Sequence, residues 1–270
     1  MTVVDLDRPD TIRDYLSSFD TFSGAARQEG INYLNDAFQR LYTTLSLIPR
    51  AKDTSPTLLE LGANPYFLTI LLKRFRPEQR LSLANYFGPH WIGLEHFQKI
   101  SSPEYGEEYN FAFLHFNVEN ERFPYQDASF DFVLFCEIIE HLVQHPTWAL
   151  IEIHRVLKPG GRVLITTPNV LRLQNILALM NQRNIYDPYS GYGPYGRHNR
   201  EYTSHELVEL VQGCGFEIEH LVMADKYVHP VWQRLLCAVW RRFRDNIYLV
   251  AKATCPSAEY RPTWLYRSFH

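Results

Sequence analysis

Apolar positions early in the chain recur at three- and four-residue steps. Between Asn32 and Leu47 they fall on Leu34, Phe38, Leu41, Tyr42 and Leu45, which is one stripe of a helix. Residues from about Thr11 to Leu47 therefore read as helical, and Pro49 to Pro56 breaks the pattern. From Thr57 the rhythm changes to short apolar runs alternating with helical segments. Thr57–Leu61, Arg80–Ala84, Phe111–Phe116, Phe130–Phe135 and Arg162–Thr166 read as strands. Tyr66–Phe75, a weaker stretch around Trp91 to Ile100, and Thr147–Leu157 read as the helices between them. An apolar helix, Val170–Met180, precedes a long Tyr-, Gly- and Pro-rich loop to about Tyr202. Thr203-Ser-His-Glu206 is a capping-box pattern that opens a helix ending at Gly213. Gly215–Val222 and Asn246–Lys252 read as the last two strands.

Strands alternating with helices imply right-handed crossovers and a sheet covered on both faces. The expectation is a doubly wound α/β fold with a mostly parallel seven-stranded sheet and an N-terminal helical extension. Its boundaries are a helical cap over 1–50, a main domain over 51–255 with an insertion at 183–203, and a tail over 256–270.

Composition narrows the options. With 46% hydrophobic and 21% charged residues, the chain can bury a sizeable core. A net charge of −3 gives no general attraction for a phosphate backbone or for anionic lipid, so nucleic acid is not an expected partner. Basic residues between Arg234 and Arg244 lie among Trp232, Leu235, Leu236, Val239 and Trp240, which reads as an amphipathic helix with a solvated basic face. Cys136, Cys214, Cys237 and Cys255 are far apart and suggest neither a zinc knuckle nor a disulfide framework. Met1–Asp7 shows no leader pattern and no apolar run is long enough to span a bilayer, so the cytoplasm is the expected compartment. A homodimer stays open.

Leu58-Leu-Glu-Leu-Gly-Ala-Asn-Pro-Tyr-Phe67 is the first segment with chemical content. An apolar strand ends in a glycine turn and a helix follows at once. Backbone N–H groups then gather at the carboxyl edge of the sheet, where open α/β folds bind ligands. Two further segments add specificity: Phe123-Pro-Tyr-Gln-Asp-Ala-Ser-Phe-Asp-Phe-Val-Leu-Phe-Cys-Glu-Ile-Ile-Glu-His-Leu142, and Val156-Leu-Lys-Pro-Gly-Gly-Arg-Val-Leu-Ile-Thr-Thr-Pro-Asn169.

Over Leu58 to Asn169 these segments resemble the class I S-adenosylmethionine-dependent methyltransferases, with a Rossmann-like fold and S-adenosylmethionine as the implied cofactor. The resemblance assigns Glu60 and Gly62, with Ala63 and Asn64, to the loop that meets the cofactor's methionine end. It puts Asn85 at the ribose hydroxyls, Asn117, Val118 and Glu119 at the adenine, and Cys136 and Glu137 beside the sulfonium. This chain departs from the family pattern in two places. Gly62-Ala-Asn64-Pro65 replaces a glycine-richer loop, and Asn85 replaces a carboxylate.

Methyl transfer to a hydroxyl benefits from a base. His141 is the first candidate and His198 its rival, because a histidine titrates near neutrality. Tyr66, Tyr192, Tyr195, Arg197 and Arg200 are the expected acceptor wall. The segment Gly196-Arg-His-Asn-Arg-Glu-Tyr-Thr203 is similar to methyltransferases of bacterial polysaccharide and glycan pathways, which implies a small-molecule or glycan acceptor in polysaccharide biosynthesis. A nitrogen or phenolic acceptor, and a catalytically silent binding module, remain alternatives. Nothing in the residue spacing points to a metal.

Overall fold

The computed structural model describes residues 8–20, 26–50, 55–227, 229–254 and 256–267. The leader reading of Met1–Asp7, and Cys255, lie outside the described residues, as do 21–25 and 51–54 within the expected cap and its boundary. The chain forms two compact units, 1–116 and 117–270, so the N-terminal helices and the first four strands belong to one unit.

In the first unit α1 (Pro9–Ser17) and α2 (Ala26–Leu47) precede β1 (Thr57–Leu61), α3 (Phe67–Phe75), β2 (Arg80–Asn85), β3 (Glu95–Ser102) and β4 (Glu107–His115). β1 pairs with β2 and β2 with β4 in parallel, while β3 runs antiparallel to β4. The helix expected around Trp91 to Ile100 is thus corrected to a strand. Its burial alternates from residue to residue until Ile100, the period of a pleated strand with one covered face. β3 brings the total to eight strands among the described residues, where seven were expected.

α2 ends against a buried guanidinium. Arg76 donates from Nη2 to the carbonyls of Leu45 (3.1 Å) and Ile48 (3.3 Å), satisfying acceptors that the helix end leaves open.

In the second unit β5 (Phe130–Cys136), α4 (Pro146–Val156) and β6 (Leu157–Pro168) are followed by α5 (Leu173–Met180), α6 (Ser204–Gly213), β7 (Phe216–Ala224), α7 (Val231–Val239) and β8 (Asn246–Ala253). β5 and β6 are parallel, and β8 lies antiparallel between β6 and β7. The Lys158-Pro-Gly-Gly161 segment lies at the start of β6, where the register with β5 jumps from Phe130 opposite Leu157 to Phe132 opposite Arg162. Gly160 sits at φ +77°, and a Cβ on Gly161 would come within 2.9 Å of the Lys158 carbonyl oxygen, so this close approach needs both glycines. The capping box at Thr203 and Glu206 is present in both directions.

The core of each unit is aliphatic and aromatic. Leu58, Leu59, Ile70 and Leu71 are fully buried in the first, as are Val133, Leu134, Leu164 and Leu249 in the second. Among the described residues no helix is long and apolar enough to cross a membrane.

Candidate active site

In the first unit the polar side chains at the ends of β1 and β2 are tied to one another. Gly62 turns the chain with φ +67°, and its N–H and that of Ala63 both donate to the Ala84 carbonyl (2.8 and 3.2 Å). Asn64 donates its N–H to Asn85 Oδ1 at 2.8 Å, and Asn85 Nδ2 donates to the Tyr66 hydroxyl at 2.9 Å. Both polar groups of Asn85 are therefore engaged in holding the loop. Tyr66 is fully buried and stacked on Phe111; its left-handed backbone (φ 67°) caps α3. Glu60 is buried too, accepting from Thr69 Oγ1 at 2.6 Å, and burial pushes its carboxyl up to about 8.

For an adenosyl sulfonium this loop offers backbone and small side chains. Gly62 and Ala63 place nothing larger than a methyl at the end of β1, and the left-handed glycine allows close approach. The residues fit the group in that sense.

The second unit holds the other expected residues. Glu119 is buried, and its Oε1 accepts from the N–H groups of Gln144 and His145 (2.8 Å to the latter), immediately before α4. A carboxylate at that place complements the positive end of the helix. Glu119 Oε2 accepts from the Tyr195 hydroxyl at 2.9 Å, and that hydroxyl accepts from Asn117 Nδ2 at 3.0 Å. Asn117 Oδ1 accepts the Glu119 N–H, so Asn117, Glu119 and Tyr195 form one network with Val118 inside it. Cys136 ends β5. Glu137 follows with φ +53°, accepting at Oε1 from Thr166 Oγ1 and Asn246 Nδ2, both at 2.9 Å.

His141 and His198 come together although they lie far apart in sequence. Glu140 supplies the stitching: its carbonyl accepts the N–H groups of Asn199 (2.7 Å) and Arg200 (3.1 Å). Asn199 Nδ2 in turn donates to the His141 carbonyl at 2.9 Å. The two imidazoles meet edge to face with centroids 4.9 Å apart. His141 Nδ1 lies 2.9 Å from the Arg197 carbonyl oxygen. A carbonyl only accepts, so this contact puts the proton on Nδ1. Burial, and then the neighbouring His198, lower the His141 pKa and keep the ring neutral.

His198 Nδ1 lies 3.0 Å from Glu201 Oε1, and its backbone N–H donates to Asp187 Oδ2. Burial on its own would raise the Glu201 carboxyl, but the hydrogen bonds of His198 and Arg172 outweigh it and hold the group at about 2. Arg172 donates to Glu201 Oε2, as does Asn175 at 3.1 Å. An ionised carboxylate at Nδ1 selects the tautomer whose Nε2 accepts a proton, the arrangement that activates a histidine base.

His198, Arg200 and Glu201 line a cleft of about 330 Å³ together with Ile185, Tyr186 and Asp187, within the range of small-molecule sites. The remaining expected acceptor residues do not line it. Tyr192 is 88% exposed, and Arg197 stacks its guanidinium over Tyr189 at 4.5 Å. Arg200 reaches Glu206 at 3.0 Å. Glu201, Arg172 and Asp187 were not singled out from sequence. His198 and Glu201 stand three residues apart, which was the available signal; nothing local marks Arg172.

Among the described residues, two histidine–carboxylate groups bring ligand atoms close enough to share an ion: Glu140 with His141 and His198, and Asp225 with His229 and Asp245. Neither has a ligand spacing that a sequence motif would reveal.

Comparison with known proteins gives a consistent picture. A family model described as a methyltransferase domain matches residues 32–221. A Mycolicibacterium smegmatis protein described as a probable S-adenosylmethionine-dependent methyltransferase is 35% identical over 96 residues. That match covers 36% of this chain and 32% of the relative, so the chain spans about a third of the relative's length. Among solved structures, a chain of the complex between the Haloferax volcanii Trm112 methyltransferase activator and a methyltransferase has a TM-score of 0.54 at 14% identity, covering 90% of this chain and 97% of that one. A Thermotoga maritima S-adenosylmethionine-dependent methyltransferase, described as a possible histamine N-methyltransferase, has a TM-score of 0.52 at 17% identity, with 85% and 97% covered. At these identities the two structures speak for the fold alone.

Proposed function

The chain belongs to the class I S-adenosylmethionine-dependent methyltransferases, and we propose that it moves a methyl group from S-adenosylmethionine to a hydroxyl of a polar acceptor, a sugar or glycan precursor. The observation that carries this reading is the His198–Glu201 pair in a cleft rich in hydrogen-bonding groups.

Bound, the cofactor supplies a methyl group on a sulfonium sulfur that is already activated for displacement. The chain's part is to orient the acceptor and accept one proton. His198 Nε2 would accept the proton that the acceptor hydroxyl loses as its oxygen takes the methyl group and the carbon–sulfur bond breaks to leave the neutral thioether, and Glu201 would stabilise the imidazolium so formed. His141, neutral and packed against the His198 ring, keeps that ring in place. Tyr186 and Arg200, which line the cleft, supply a ring and a donor of the kind a sugar needs.

The methionine end of the cofactor falls to Gly62 and Ala63, while Asn85, Tyr66 and Asn64 act behind the loop as its ties. A cytoplasmic role in polysaccharide assembly belongs to the same proposal.

The test is calorimetry with S-adenosylhomocysteine followed by turnover on a panel of sugars and glycan precursors. Binding in the micromolar range with transfer to a sugar hydroxyl is expected. Absence of binding at millimolar ligand would leave a silent module, and transfer to amines alone would replace the acceptor.

A further inference from the structure

The sequence of α7 predicts an apolar face turned inward and a basic face in water. The structure has the apolar residues outside. Gln233 and Cys237 are the buried positions, at 5% and 1% exposure, while Val231, Trp232, Leu235, Val239 and Trp240 are between 48% and 74% exposed. Arg234 is exposed among them, and Arg241 and Arg242 follow in the next turn. No acidic residue occurs between Val231 and Phe243, in a chain whose net charge is −3.

We propose that α7 and the turn after it form a docking element for an anionic lipid surface. A row of exposed Trp, Leu and Val residues flanked by arginines is the pattern of a helix lying in the headgroup region. Indole rings suit that region because one part of each ring is apolar and the other hydrogen-bonds. Three or more arginines close to the apolar row draw the helix to negative headgroups over about a Debye length. A second copy of this chain is the competing occupant, and charge disfavours it: a two-fold contact through this strip sets Arg234, Arg241 and Arg242 against their own counterparts. The proposal is independent of the acceptor's identity.

Co-sedimentation with phosphatidylcholine vesicles, with and without about one third phosphatidylglycerol, tests it. The intact chain should bind the anionic vesicles with a blue shift of tryptophan emission, and raised salt should weaken the binding. Trp232→Ala with Leu235→Ala should lower binding at least tenfold. Arg241→Glu with Arg242→Glu should abolish the preference for the anionic lipid. All four side chains are exposed, so an unchanged circular dichroism spectrum and melting curve are expected. The proposal is overturned if the intact chain fails to sediment with anionic vesicles, or if both variants bind as it does. It is equally overturned if light scattering shows a dimer that the same substitutions convert to monomer.

Discussion

The loop after β1 and the cleft around His198 are both dense in hydrogen bonds, yet they use them differently. At the first, Asn64, Asn85, Tyr66, Glu60 and Thr69 satisfy one another and leave a small-residue turn. At the second, bonds to Arg197 and Glu201 fix the histidine rings and their tautomers, and Asp187 holds the His198 backbone, while His198 lines open space. Side chains in the first region shape a backbone. In the second they hold two imidazoles in place, one of them on the wall of a cleft. Changes at the cleft should therefore strike turnover, and changes at the loop should strike cofactor affinity.

The sharpest contrast is expected from His198→Ala, which should lower kcat by about 10²- to 10⁴-fold through loss of the base. S-adenosylhomocysteine affinity by calorimetry should stay unchanged. His141→Ala should have a smaller effect on kcat, because its part is to hold the neighbouring ring.

Glu201→Ala strands Arg172 and should cost about 3–5 kcal/mol of stability in denaturant titration. Glu201 also makes stability depend on pH. Its folded pKa, about 2, lies below the 4.5 of a free glutamate. Its contribution is complete above pH 4.5 and disappears as the pH falls toward 2, a slope that Glu201→Gln should flatten. Glu60 works in the opposite direction. Its carboxyl is raised to about 8, so the folded state loses stability as pH climbs from 4.5 to 8, and Glu60→Gln should be the more stable protein at pH 8.

Asn85→Ala removes both ties of the loop and should weaken S-adenosylhomocysteine binding about tenfold, or about 1.4 kcal/mol, with kcat at saturating cofactor little changed. The smallest effect belongs to Tyr195→Phe. Losing the hydroxyl shared by Asn117 and Glu119 should cost about 1 kcal/mol in a thermal melt.

What could be read from sequence follows the physics of each element. Thr57–Leu61 is apolar at Leu58, Leu59 and Leu61, and Phe130–Cys136 is apolar without a break from Phe132, because both strands are largely buried, and such runs are visible in one dimension. β3 is not, since Glu95–Ser102 has few apolar residues and Phe97 is 67% exposed, so its strand character comes from pairing with β4. α7 showed its amphipathic period but not which face the protein would cover, a choice made by tertiary packing.

The same division holds at the site. Both histidines were identifiable as single residues. Their meeting depends on the Glu140 carbonyl and the Asn199 side chain, contacts that join distant segments. Likewise Asn85 was recognisable by position, whereas its engagement with Asn64 and Tyr66 belongs to the folded loop.

The most direct measurement supplies methyl-labelled S-adenosylmethionine and a sugar acceptor to the intact chain and to His198→Ala. The account predicts an alkali-stable methyl ether from the first and loss of that product, with intact S-adenosylhomocysteine binding, from the second. An undiminished ether yield from His198→Ala would contradict it.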